Sequence, residues 1–284
     1  ISLIFAVYFV PYALMVGEMG SAFKDAGGGV SSWILETIGP RMAYLAGWTY
    51  WIVHMPYISQ KPNGSVIAAS WAIFRDARVS QMNVRVLAVI CLVLFLFAVW
   101  VASRGIGVLK KLTSLAGSTM FVMSLLFIVM MIAAPAITGA DVRNIDWSIK
   151  TFMPTFDSKF FLNLSILVFA VGGCEKISPY VNKMKNPSKD FSKGMITLAI
   201  MVTVCAVLGT IALGMMFDSN NIPEDLMTNG AYYAFQTLGE YYGLGNFFVV
   251  VYAICNLIGQ FTVMIISIDA PLRMLLDNAD DNYI

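Results

Sequence analysis

The sequence predicts an all-α polytopic membrane protein, and three observations carry that prediction. Hydrophobic residues make up 58% of the chain, charged residues 12%, and mean hydropathy is +0.75, far from the composition of an average soluble domain. A span needs about 20 mostly apolar residues at ~1.5 Å rise, and about seven stretches meet that ruler. Lys and Arg number 18 against 17 Asp and Glu, a net charge of +1, so there is no basic field for nucleic acid. The four cysteines, Cys91, Cys174, Cys205 and Cys255, lie inside apolar runs, where a thiol behaves as a small hydrophobe, and no disulfide framework is implied. The opening Ile1-Ser2-Leu3 carries neither a starter Met nor a basic leader, and Asn282-Tyr283-Ile284 ends the chain in a polar segment. An internal fragment of a longer protein is the expectation.

The predicted spans are residues 1–23, 41–74, 84–102, 112–137, 160–184, 194–217 and 245–276. If the first ends in the cytoplasm, the inward connections hold Lys24, Arg41, Arg104, Lys110, Lys111, Lys183, Lys185, Lys189, Lys193 and Arg273. The outward ones hold Arg75, Arg78, Arg85, Arg143, Lys150 and Lys159. The excess of positive charge inside favours this orientation, although Arg75 to Arg85 run against it. The outward loop 218–244 carries Asp218, Glu224, Asp225 and Glu240 without Lys or Arg, as suits an outer face.

In chain order, Glu18 at the end of the first span reads either as a gate or as an interfacial acid. Gly27 to Gly29 lack the downstream Lys-Ser/Thr of a phosphate loop and predict a hinge into a short amphipathic piece over 30–38. The second span is overlong and must tilt or protrude. Gly47, Tyr50, His54, Tyr57, Lys61 and Gly64 recur on it at three- and four-residue intervals, placing small, aromatic and ionisable groups on one face. Pro62-Asn63 after Lys61 predict a backbone break. Lys61 either snorkels to the outer interface or, with His54, faces a pathway and meets Glu175, a substrate carboxylate or a proton, because a lysine in a span is costly without an anion or water. His54, the one histidine, could sense mild acidity or simply be packed. Thr113, Ser114, Gly117 and Ser118 form a small-residue face suited to helix packing, and 141–159, with Trp147 and Pro154, is an outer loop.

The chain is organised around residues 169–186 (FAVGGCEKISPYVNKMKN). An apolar run meets Gly172-Gly173, then Glu175 and Lys176, then Pro179. Freed backbone groups in hydrocarbon are tolerated only where they line a cavity or are packed in protein. A broken helix offers N–H groups and the positive end of a half-helix dipole to a carboxylate. The alternative is that Gly-Gly permits close packing and Glu175 caps the next turn. The last span carries Asn256, Gln260 and Ser267 on one stripe, either pathway lining or helix glue, and Asp269 and Arg273, four apart, should pair at its inner end.

Phe169 to Glu175 followed by Lys185-Asn186-Pro187 resembles the sixth transmembrane helix of the amino acid/polyamine/organocation (APC) transporter superfamily. Gly17-Glu18-Met19 with Gly27-Gly28-Gly29 and Ile38-Gly39-Pro40 resembles its second helix and cytoplasmic connection, and Pro271-Leu272-Arg273 the end of its eighth. Within the superfamily the chain is most similar to the bacterial glutamate/GABA antiporter group. The resemblance implies an inverted-repeat (LeuT-like) fold in one transporter domain over 1–284. Residues 1–137 would be the rest of the first repeat and 160–276 part of the second, with the two overlong spans in matching places and the first and last helices missing. Such a piece should not transport alone.

The function so implied is secondary active transport of an amino acid by alternating access in a bacterial inner (plasma) membrane, by antiport or, alternatively, proton symport. The substrate would lie against Phe169, Ala170, Val171, Gly172, Gly173, Cys174 and Glu175, touching Tyr57, Asn256 and Gln260. Glu175, Lys61, His54 and Glu18 would gate or couple, with a cationic Lys61 favouring an acidic or zwitterionic substrate. The expected partners are the amino acid, the lipid bilayer and, under symport, protons; no cofactor or metal is expected. A channel would need repeated charge or carbonyl rings, and an enzyme a metal or nucleophile motif; neither is present in the sequence.

Overall fold

A computed structural model of the chain describes residues 2–27, 29–140, 153, 156–217 and 223–280. Every regular element among them is helical. We label the helices α1 (Ser2–Ala22), α2 (Val30–Thr37), α3 (Pro40–Ile73), α4 (Val84–Ala102), α5 (Ile106–Thr138), α6 (Ser158–Val171), α7 (Pro187–Gly214), α8 (Leu226–Tyr241) and α9 (Phe247–Asp280). A 3₁₀ run, Cys174–Lys183, lies between α6 and α7.

The chain is a polytopic all-α membrane protein. Among the described residues six segments are long and apolar enough to cross a membrane: α1, α4, α5, Phe160–Lys183, α7 and α9. In α4 only Ala98 is buried, while Val89, Val93, Leu96 and Phe97 are exposed. Water would not tolerate such a surface, and lipid requires it. The second predicted span, 41–74, forms the helix α3 of 34 residues, but it is not among the six, because His54, Gln60, Lys61 and Asn63 dilute its apolar run. The two overlong spans are equal in length, since α9 also has 34 residues.

Local chemistry explains the details. Pro11 has no N–H to reach back to Val7, and the preceding turn widens into a π turn over Phe5–Phe9, with the Val10 N–H donating to the Phe5 carbonyl. The break expected at Pro62 is absent, and α3 runs straight through it. One proline removes a single ladder bond from a long helix, and span helices accommodate it. The Ser65 hydroxyl there donates to the Lys61 carbonyl at 3.2 Å. Pro187 opens α7 at a position where its missing N–H costs nothing, and the Asn186 carbonyl accepts from Asp190 N–H at 2.9 Å.

The chain divides into two compact units. The first comprises Ile1–Tyr57, Met153–Val207 and Ile266–Ile284, the second Ile58–Phe152 and Leu208–Ile265. In the first, Val16, Trp33, Val181, Phe191 and Met195 form the core, and the predicted amphipathic piece is the helix α2, tied down by Ser31 Oγ donating to the Met274 carbonyl at 3.1 Å. Gly29 precedes α2 with φ +58, and a Cβ there would stand 2.3 Å from Ser178 Oγ, so only glycine fits this approach.

In the second unit Trp71, Met131, Leu238 and Val249 are fully buried. The stretch read as a loop over 218–244 instead contains α8, with Tyr232, Phe235 and Leu238 buried. Residues 218–222, like most of the outer loop 141–159 with Arg143, Trp147, Lys150 and Pro154, lie outside the described residues. Asp225 anchors α8. Its carboxylate accepts from Tyr233 Oη at 2.7 Å and from Asn229 Nδ2 at 2.8 Å, and Asn229 Oδ1 accepts from Trp71 Nε1 at 2.8 Å. The Tyr233 hydroxyl foremost, then the Asn229 amide, holds the Asp225 carboxyl below its usual range. A depressed carboxylate stabilises the fold above its unfolded pKa, and that contribution is lost as pH falls through the folded value. Asp225→Asn should therefore lower stability at neutral pH by roughly 1 kcal/mol and leave it unchanged under acid, as thermal melts in detergent at the two pH values would read.

Candidate functional site

The site is built on the interruption between α6 and α7. Asp157 Oδ1 caps α6 by accepting from Phe160 N–H at 2.8 Å. The helix ends at Gly172, whose N–H is spent on the Val168 carbonyl at 3.2 Å. Gly173 follows with φ +106, a conformation that β-branched and bulky residues avoid. The half-helix expected beyond it is the 3₁₀ run. An α continuation would present the Glu175 carbonyl to Pro179, which has no N–H; the Ser178 hydroxyl takes that carbonyl instead, at 2.6 Å.

Glu175 does not cap this run. Its carboxylate joins three elements: Tyr12 Oη on α1 donates to Oε2, and Tyr50 Oη on α3 donates to Oε1 at 2.8 Å. Two hydroxyls are the sort of partner a half-buried carboxylate needs in an apolar setting. Tyr8 stacks on Tyr12 at 5.7 Å. On α3, His54 Nδ1 lies 2.8 Å from the Tyr50 carbonyl, which makes Nδ1 the protonated nitrogen. The rings continue one face as predicted, His54 4.4 Å from Tyr50 and 6.0 Å from Tyr57. The Tyr57 ring meets Phe169 edge-on at 6.1 Å and carries Lys176 Nζ at 4.0 Å.

Of the residues singled out in the sequence, these contacts gather His54, Tyr57, Phe169, Gly173 and Glu175. Ala170, exposed, and Val171, Gly172 and Cys174 line the same interruption. Tyr12, Tyr50 and Lys176 complete the group. Tyr50 was readable as a member of the α3 face, and Lys176 as the neighbour of Glu175; Tyr12, from a distant span, carried no local signal. Glu18 is exposed on α1 and takes no part in these bonds, which fits an interfacial acid.

Lys61, Asn256 and Gln260 belong to the second unit. There Gln260 Nε2 donates to Asn256 Oδ1 at 3.4 Å and Asn256 Nδ2 to Tyr232 Oη at 2.7 Å, the helix-glue arrangement, with Gly64 facing the Gln260 amide. In the first unit Arg273 Nε donates to Asp269 Oδ2 at 2.7 Å, as the spacing predicted. Tyr180 Oη donates to the same oxygen at 2.5 Å. Among the described residues no His, Cys, Asp or Glu cluster could hold a metal ion.

A family model described as amino acid permease matches residues 1–284. The chain belongs to the amino acid permease family. The chain is 54% identical, over 99% of its length and 58% of the relative's, to a protein named aspartate/glutamate permease AcaP from Lactococcus lactis subsp. cremoris. It is 26% identical to the inner membrane transporter YjeM of Escherichia coli, over 70% of this chain and 41% of that one. To the glutamate/gamma-aminobutyrate antiporter of Lactococcus lactis subsp. lactis it is 22% identical, over 82% of this chain and 45% of the relative. The chain thus spans about half the length of the curated relatives it matches. No solved structure matches it significantly. Family and helices together make it part of a multi-pass membrane protein of that family.

Proposed function

We propose that the protein moves an acidic amino acid across a bacterial inner membrane by alternating access. The observation that carries this reading is the interruption at Gly172-Gly173 with the Glu175 carboxylate bound by hydroxyls from α1 and α3. The substrate's α-carboxylate sits at the start of the 3₁₀ run, where the first N–H groups have no carbonyl ahead of them within the helix. Its side chain lies toward Tyr57, Phe169 and the His54 face, while the Glu175–tyrosine bonds make and break as a gate. The substrate class rests on the printed name of the relative at 54% identity.

Antiport is proposed as the mode, supported by the glutamate/gamma-aminobutyrate antiporter among the relatives; proton-coupled symport is the alternative, favoured by no contact described above. The full-length protein in liposomes decides. Labelled aspartate or glutamate uptake that requires internal amino acid supports exchange. Uptake into empty liposomes driven by an imposed proton gradient replaces exchange with symport, and no uptake of any amino acid removes the transport reading itself.

A further inference from the structure

We propose that the N-terminal end of α7 binds the anionic headgroup of a membrane phospholipid between Lys189 and Lys193, with Lys183 and Lys185 beside them. The segment 183–193 holds these four lysines and one acid, Asp190. All four lysines are exposed, and among the described residues no carboxylate pairs with any of their ammonium groups. Lys183 closes the 3₁₀ run, Lys185 lies in the short connection after it, and α7 begins at Pro187. A juxtamembrane cluster of this size attracts anionic headgroups, each cation adding its own share.

The register of α7 is what turns a charge excess into a site. Lys189 and Lys193 stand one turn apart, and their face continues through Ile196, Ile200 and Val204 at three- and four-residue steps. Those three apolar residues are exposed, as a surface meeting lipid tails should be. The opposite face is spent on the core, where Phe191, Met195 and Ala199 are buried. One strip of helix therefore passes from cationic to apolar within about 5 Å of rise, the order of headgroup and tail in a phospholipid. Asp190, about 100° round the helix from Lys189, borders the cationic strip on one edge. Positive charge that only sets orientation needs no such register. At the start of α5, Lys110 and Lys111 are neighbours about 100° apart, and Arg104 lies over the Trp100 ring at 4.2 Å; no strip forms there.

The test uses the purified full-length protein in detergent, titrated with phosphatidylglycerol or phosphatidylcholine, with the lipids retained counted by native mass spectrometry. Wild type should hold phosphatidylglycerol in preference to phosphatidylcholine, and the preference should weaken as salt is raised. Each lysine contributes roughly fivefold, so Lys189→Gln/Lys193→Gln should weaken phosphatidylglycerol binding about 10- to 30-fold. Lys189→Arg/Lys193→Arg should keep most of it, and Lys110→Gln/Lys111→Gln, which removes the same charge elsewhere, should leave it within about twofold. Equal retention of the two lipids by wild type would overturn the proposal without any variant. Equal losses in the two glutamine pairs would mean attraction by net charge alone and would also overturn it. Displacement of the lipid by inorganic phosphate at matched concentration would assign the lysines to a soluble anion instead.

Discussion

Replacing Gly173 by valine should abolish most uptake while leaving the protein inserted in the membrane. The backbone at Gly173 has φ +106, and a β-branched residue there is a genuine outlier. Holding it costs of order 1–3 kcal/mol, so uptake should fall about 10- to 100-fold. The strain is that of the backbone, since a Cβ there would meet the Lys176 side chain only at ordinary contact distance, 3.5 Å from Cε. Gly173→Ala, smaller but still strained, should fall between the two. Initial rates normalised to membrane protein provide the check, and wild-type rates in Gly173→Val would show that the interruption is not part of the working site.

Glu175→Gln is expected to have a comparable effect for a different reason. Two hydroxyls from separate helices donate to one carboxylate, and hydrogen bonds to a charge contribute roughly 1.5–3 kcal/mol each. The neutral amide halves the acceptor capacity and removes the charge, so uptake should drop roughly 10- to 100-fold. Tyr50→Phe should lose about tenfold, and the double substitution should be no worse than Glu175→Gln alone, because the partners act as a unit. Full additivity would mean that Tyr50 and Glu175 serve separate tasks.

How far the sequence reaches depends on the kind of interaction involved. Span existence follows from apolar length, which is local; six of the predicted spans became helices, and 160–184 became α6 and the 3₁₀ run beyond Gly172-Gly173. Pro62 misled because a proline weighs heavily in a short helix and lightly in one of 34 residues. The helix α8 escaped notice because acidic loop residues masked the apolar spacing of Tyr232, Phe235 and Leu238. Within the site, Gly172-Gly173 and Glu175 announce themselves by being wrong for hydrocarbon. Tyr12 could not be found this way, since its hydroxyl gains meaning only from a carboxylate 163 positions away.

The 3₁₀ geometry of Cys174–Lys183 makes this run longer and more tightly wound than an α-helix of the same residues. Ten residues at a rise of about 2.0 Å are longer by about 5 Å than the same residues coiled as an α-helix at ~1.5 Å. The winding differs as well, by about 20° per residue, so the step from Glu175 to Tyr180 would turn by about 100° on recoiling. Glu175 is fastened at one point of this run to Tyr12 and Tyr50, and Tyr180 at another to Asp269. Both fastenings match the stretched, overwound form. Recoiling would have to release at least one of them, which ties the outcome at Glu175 to the outcome at Asp269 through torsion along a single strip of backbone.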